Sequence, residues 1–194
     1  MKTDIIKLIE QIDAYTKEHV KEKRYEHSVR VAEMAARMCR QYGLDENTGY
    51  LAGIGHDMCK DMDEKELIET AAEDGEPVTS FELKRPKLLH GRAAAVYMKE
   101  KFEITDFEIL EAVAHHTSGK IGMCDLAKII FLADKIEPGR PQSTDEYRNR
   151  LLAMDLDTLF YTVFVENYEY VKNNGFEIYP GTDKMLEYYK EFVK

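Results

Sequence analysis

Along almost the whole chain, apolar residues recur three or four positions apart, the spacing of one face of an α-helix. Ile5, Leu8, Ile9, Ile12 and Tyr15 form one stripe and predict a helix over 4–19, with Thr3 as its N-cap. Val29, Val31, Ala32, Met34, Ala35 and Met38 predict a second over 23–42, closed by Gly43 at a C-cap position. A third runs from about Glu46 to Lys60, and a fourth starts after Asp63 and fades near "EDGEP". Gly75, Pro77 and Pro86 make 73–87 mostly loop. Further helices are predicted over about 90–101, 106–117 and 123–136. "EPGRPQ" breaks the chain, and helices follow over about 145–153, 155–173 and 182–193, with "NNGFEIYPGT" as a turn. No internal repeat and no alternating strand pattern of useful length interrupts this. The class is all-α: one domain over residues 1–194, a helical bundle with a C-terminal helical extension.

Composition narrows the setting. At 194 residues with 44% hydrophobic and 33% charged positions, the chain can bury a core without staples. No apolar run reaches the roughly 18 residues of a membrane span. The opening "MKTDIIKLIEQIDAYTKEH" is charged throughout and does not read as a signal peptide. Cys39, Cys59 and Cys124 form an odd set without C-x-x-C spacing, which fits a reducing cytoplasm rather than a disulfide or thiolate-zinc scaffold. A net charge of −10 argues against non-specific nucleic-acid binding. It would also repel a phosphate substrate unless bound divalent cations intervened.

The histidines do not read alike. His19 lies among Lys17, Glu18 and Lys21 and reads as solvated. His27 shares a face with Val31 and Met34 and points inward; alone, it reads as readily as a core histidine. His56 and Asp57 end an apolar helix, where a loosened last turn lets adjacent side chains converge. His90 opens a helix and is equally readable as a cap. His116 follows Ile109, Ala112 and Val113 on the apolar face, whereas His115 stacks over Glu108 and Glu111 on the wet face. Asp134 sits in "LAKIIFLADKIEP", a helix with no obvious polar side, where an unpaired carboxylate would be costly and needs a cation. That cation is either a basic side chain or a metal. Five helical segments thus each offer an inward or helix-end donor. Imidazole and carboxylate suit zinc, iron, manganese or nickel. Four histidines and two carboxylates exceed the roughly four ligands of a structural ion and suffice for two ions.

The order His27, His56-Asp57, Asp134, with His90 and His116 between, resembles the HD-domain metal phosphohydrolase superfamily. "RYEHSVRVAEMA", "LAGIGHDMCKDM", "LLHGRAAA", "EAVAHHTSGKIGM" and "KIIFLADKIEPGR" resemble its bacterial YqeK-type branch over residues 24–141. That branch comprises symmetrical diadenosine-tetraphosphate hydrolases, some described in NAD metabolism alongside or fused to a nicotinate-nucleotide adenylyltransferase. Met58 and Cys59 depart from the aromatic or small residues expected there, and Cys59 would make the site oxidation-sensitive.

The resemblance implies that His27, His56, Asp57 and Asp134 hold a first divalent ion, with iron expected and manganese, nickel, cobalt or zinc as alternatives. His90 and His116 would hold a second ion or the substrate phosphate, with Asp57 shared, so Asp57, His90 and His116 are the expected catalytic residues. A bound ion lowers the pKa of its water toward about 7. Lys60, Arg140, Arg30, Thr117 and Ser118 are the expected phosphate contacts, and the "GFEIYPGT" turn would close over a base. The expected reaction is diadenosine tetraphosphate to two ADP, without nucleic-acid or membrane partners and with a homodimer as one assembly. Two alternatives stay open: a nucleotidase or phosphodiesterase acting on another nucleotide, and a non-catalytic nucleotide-binding regulator of an NAD-biosynthesis enzyme.

Overall fold

The computed structural model describes residues 5–193, so the expected Thr3 cap lies outside the described residues. These residues form eleven α-helices and no strand: α1 (Ile5–His19), α2 (Glu22–Tyr42), α3 (Glu46–Gly55), α4 (Glu64–Ala71), α5 (Ser80–Leu83), α6 (His90–Phe102), α7 (Phe107–His115), α8 (Asp125–Ile136), α9 (Asp145–Leu152), α10 (Leu156–Asn173) and α11 (Thr182–Lys190). Short polar residues start most of them. Asp45, Asp63, Asp106, Thr144 and Asp155 each accept a backbone N–H from the first turn of the helix they precede. Gly43 closes α2 in the left-handed conformation (φ 82°) that a residue with a Cβ resists.

Two helices cross closely at the centre. Gly49 and Gly53 of α3 face Ala32, Ala35 and Cys39 of α2, and a Cβ on Gly53 would stand 2.6 Å from the Ala32 Cα. This near-contact of backbones sets the distance between the start of α2 and the end of α3. Helix α8 packs against α2, α3 and α7. Its Ile129, Ile130, Phe131, Leu132 and Ala133 are fully buried. Each large side chain of that run contributes roughly 1.5–3 kcal/mol by leaving water. The C-terminal helices join the same core: Phe131 of α8 meets Phe160 of α10 at 5.2 Å, and Phe160 meets Tyr189 of α11 at 4.6 Å. The Tyr189 hydroxyl donates to the Lys120 carbonyl at 2.5 Å and accepts the Met123 N–H at 2.9 Å, tying α11 to the α7–α8 loop.

Several boundaries differ from expectation. Helix α3 stops at Gly55, not Lys60, and 56–62 form turns, because the His56 ring turns back to bond a carbonyl of the helix end. Helix α7 stops at His115, one residue before the inward His116, and α11 at Lys190. The expected loop 73–87 holds α5, whose Thr79–Glu82 capping box makes four residues helical, and a 3-10 turn at Pro86–Leu89. Glu111 is not on a wet face. It is buried, where its carboxylate accepts the Cys124 N–H and the Lys120 ammonium, and His115 beside it is half-buried.

Candidate metal centre

Helix ends build the centre. His56 and Asp57 follow the last residue of α3, His90 opens α6, and His116 follows α7, while His27 lies in the second turn of α2 and Asp134 in the last turn of α8. Three of the rings are fixed the same way. Nδ1 of His56 lies 2.6 Å from the Gly53 carbonyl, Nδ1 of His90 2.6 Å from that of Lys87, and Nδ1 of His116 2.7 Å from that of Val113. A carbonyl only accepts, so each Nδ1 carries the proton and each Nε2 is left with a bare lone pair. The fourth ring, His27, has Nδ1 3.1 Å from Glu137 Oε1, and Glu137 in turn accepts the Arg30 Nε–H at 2.6 Å. Such outer partners are what orients metal-ligating histidines.

The four Nε2 atoms converge on two carboxylates. Asp57 Oδ1 stands 2.9 Å from His90 Nε2, 3.5 Å from His116 Nε2 and 3.8 Å from His56 Nε2. Asp134 Oδ1 stands 3.0 Å from His27 Nε2 and 3.9 Å from His56 Nε2. His27, His56 and Asp57 form one compact group and Asp57, His90 and His116 another, each with its donor atoms within 4.8 Å of one another, so Asp57 belongs to both.

The protein alone does not satisfy this arrangement. The lone pairs of His90 and His116 face each other with Nε2 atoms 2.9 Å apart. His56 Nε2 and Asp57 Oδ1 are buried with no hydrogen-bond partner. The 2.9 Å contact of His90 with Asp57 does not relieve this, since both atoms are acceptors. Lys60, with Nζ 2.8 Å from His90 Nε2, and the Thr117 hydroxyl, 3.1 Å from His116 Nε2, are hydrogen sources at the edge. Buried acceptors turned toward one another suit a cation among them, and nitrogen and carboxylate donors fit a divalent transition metal.

Electrostatics agree. Burial lowers His56 to about 3, so its ring is neutral and free to ligate. Burial likewise lowers His90. Burial alone would raise Asp134, but Lys135, His27 and Arg140 more than offset it and hold the carboxyl well below the usual range. Burial would lower His27, and the Asp134 carboxylate beside it outweighs that and raises it.

Two cavities adjoin the centre. A mouth of about 300 Å³ is lined by Lys23, Arg24, Lys60 and Arg140 together with His27, Asp57, Thr117 and Asp134. A larger cavity of about 580 Å³ is walled by Phe81, Arg85, Tyr168, Phe176 and Tyr179, with Thr117, Ser118 and Lys135 on its near side. Lys60 lies at Asp57 and His90, and Arg140 donates to Asp134 Oδ1 at 2.5 Å. Arg30 does not line the mouth; its guanidinium is turned to Glu137 and packs against Gly139. Sequence reasoning missed Glu137, Lys135, Lys23 and Arg24. Lys135 and Glu137 had a visible signal, since both follow Asp134 just after the apolar run 129–133.

Fold and centre together define a class: an all-helical protein that gathers imidazoles from four segments around two carboxylates, Asp57 and Asp134. The HD domain family matches residues 24–139, and the chain belongs to that family. It is similar to the symmetrical bis(5'-nucleosyl)-tetraphosphatase of Staphylococcus aureus, 34% identical over 185 residues that cover 93% of this chain and 94% of the relative. The enzyme of the same name from Halalkalibacterium halodurans is 33% identical over 166 residues, 86% of this chain and 88% of the relative. A crystal structure from Clostridium acetobutylicum, described as a predicted HD superfamily hydrolase involved in NAD metabolism, superposes with a TM-score of 0.86 at 29% identity. It covers 94% of this chain and 97% of its own. Among the described residues no helix is long and apolar enough to cross a membrane.

Proposed function

We propose that this chain hydrolyses dinucleoside tetraphosphates symmetrically, cleaving diadenosine tetraphosphate to two ADP. The observation that carries the reading is the set of buried, mutually facing acceptors at His56, Asp57, His90 and His116, beside a mouth lined by four basic side chains. Relatives that match over most of their length bear that enzyme name. His27, His56, Asp57 and Asp134 would hold one divalent ion and His90 and His116, with Asp57 shared, a second; iron is the metal proposed. A bound divalent ion supplies an acidified water as nucleophile and offsets phosphate charge.

The chain's own groups do the rest. Asp57 joins the two donor groups and fixes their spacing. Lys60, Arg140 and the Thr117 hydroxyl contact phosphate oxygens, and Arg30 acts on the centre through Glu137 rather than on the substrate. The aromatic cavity takes one nucleoside, with Phe81, Tyr168, Phe176 and Tyr179 offering faces for stacking. With cations at the mouth and aromatics behind it, the overall charge of −10 does not prevent anion binding. A link to NAD metabolism, as described for the Clostridium acetobutylicum structure, fits a role beside a nicotinate-nucleotide adenylyltransferase.

Chromatography of the products tests this. ADP alone from diadenosine tetraphosphate is the expected result; AMP plus ATP, or turnover only of mononucleotides or cyclic nucleotides, overturns it. Elemental analysis of the purified protein tests iron against manganese, nickel, cobalt and zinc.

A further inference from the structure

We infer that Lys135 is a positioning residue: its ammonium holds the phosphate that joins the nucleoside in the aromatic cavity to the phosphoryl group at the metal centre. This rests on the nucleotide reading above. Lys135 follows Asp134 on α8, and its side chain lines the 580 Å³ cavity. It therefore stands where the donor centre ends and the nucleoside space begins, next to Thr117, which lines both cavities.

Its contacts leave capacity for a ligand. The ammonium carries three N–H donors. Two polar acceptors lie near it, the His116 carbonyl at 3.1 Å and Asp134 Oδ2 at 3.3 Å, and it stands 3.8 Å over the Phe131 ring. Both polar contacts are at the long end for a charged donor. Asp134 has a second, closer donor besides it, because Arg140 donates to the other carboxylate oxygen at 2.5 Å and to the Asp134 carbonyl at 2.7 Å. A divalent ion on Asp134 would reduce its need of Lys135 further. The other cation of the cavity wall, Arg85, pairs with Glu177 and lies 4.4 Å over the Phe81 ring; its Nη1 is buried without a partner, but it touches none of the donor-centre residues that Lys135 contacts. Lys135 is thus the wall cation closest to the donor centre, held in place by a carbonyl and a ring, with a donor to spare toward the cavity.

The test is calorimetric binding of ADP and of adenosine to metal-loaded wild type, Lys135→Met and Lys135→Arg, with metal content measured on each. Lys135→Met is expected to weaken ADP at least tenfold and leave adenosine within twofold, and Lys135→Arg to recover most of the ADP affinity. A purely structural lysine would instead change metal content or weaken both ligands equally. That result overturns the proposal, as does an unchanged ratio of ADP to adenosine affinity. Wild type that binds neither ligand would sink the nucleotide reading itself, a failure distinct from a wild type that binds both and a Lys135→Met variant that binds both equally well.

Discussion

Gly53→Ala probes the link between fold and site. Gly53 lies inside α3, where alanine is normally the better helix former by about 1 kcal/mol. A new methyl here would stand 2.6 Å from the Ala32 Cα, 3.0 Å from the Ala32 nitrogen and 3.2 Å from the Val31 carbonyl carbon, all backbone atoms of α2. No side chain can swing away, so the helices must part. Overpacking of this kind costs about 1–3 kcal/mol, and a clash with backbone rather than a movable side chain belongs at the upper end, which leaves a net loss of about 2 kcal/mol after the propensity gain. With about 2–4 °C of melting temperature per kcal/mol for a chain of this size, a net loss of several degrees is expected. The second consequence is local. The Gly53 carbonyl holds Nδ1 of His56, so parting the helices also turns a ligand, and metal per chain is expected to fall. Ala32→Gly should not rescue the variant, since the clashing atoms are the Ala32 backbone. Thermal unfolding with elemental analysis reads all three. A Gly53→Ala protein as stable as wild type or more so would refute the argument, because it would show that the crossing has room.

Three other outcomes are expected. Asp57→Ala removes the carboxylate common to both donor groups; circular dichroism should stay helical while ADP release stops, and turnover at wild-type rate by the metal-loaded variant would contradict its role. Glu137→Gln weakens the support behind His27 and should lower metal affinity about 10–100-fold in a chelator competition; an unchanged affinity would leave Glu137 as the partner of Arg30 alone. The metal-free protein should lose stability in acid. Burial lowers His56 to about 3, and burial, then Lys120, lowers His115 to about 4. Both rings are neutral when folded and take a proton when unfolded below about 6.5, so their contribution is full above that pH and is lost as pH falls toward the folded values. Each accounts for at most about 2 kcal/mol between pH 7 and 5. His27, raised by Asp134, acts oppositely: its contribution is present below about 6.5 and is lost as pH rises through its folded value. A urea midpoint higher at pH 5 than at pH 7 would contradict the balance.

Helix periodicity and cap chemistry were legible because they are local. The stripe through Ile5, Leu8 and Ile12, the glycine after Tyr42 and the apolar run before Asp134 each report on a few neighbouring residues, and the structure has helices at all three. The inward side of His27 and His116 followed from the same periodicity. Where a segment's state hung on a contact across the chain, pattern did not suffice. Glu111 is buried because a loop folds over it to supply the Cys124 N–H and Lys120, whereas the four helical residues at Ser80 did carry a local signal, the Thr79–Glu82 capping box, inside a Gly- and Pro-rich stretch.

From its residues alone, the chain therefore determined that it would be helical and that imidazoles and carboxylates would face inward from five separate segments. Only the packed fold decided which nitrogen His27 offers, that Arg30 answers to Glu137, and that Lys135 stands between the donor centre and an aromatic cavity. Those facts depend on carbonyls and carboxylates as far as 110 residues apart in the chain, as between His27 and Glu137. Helical spacing carries information over a turn or two, whereas a hydrogen bond across helices exists only once those helices have packed.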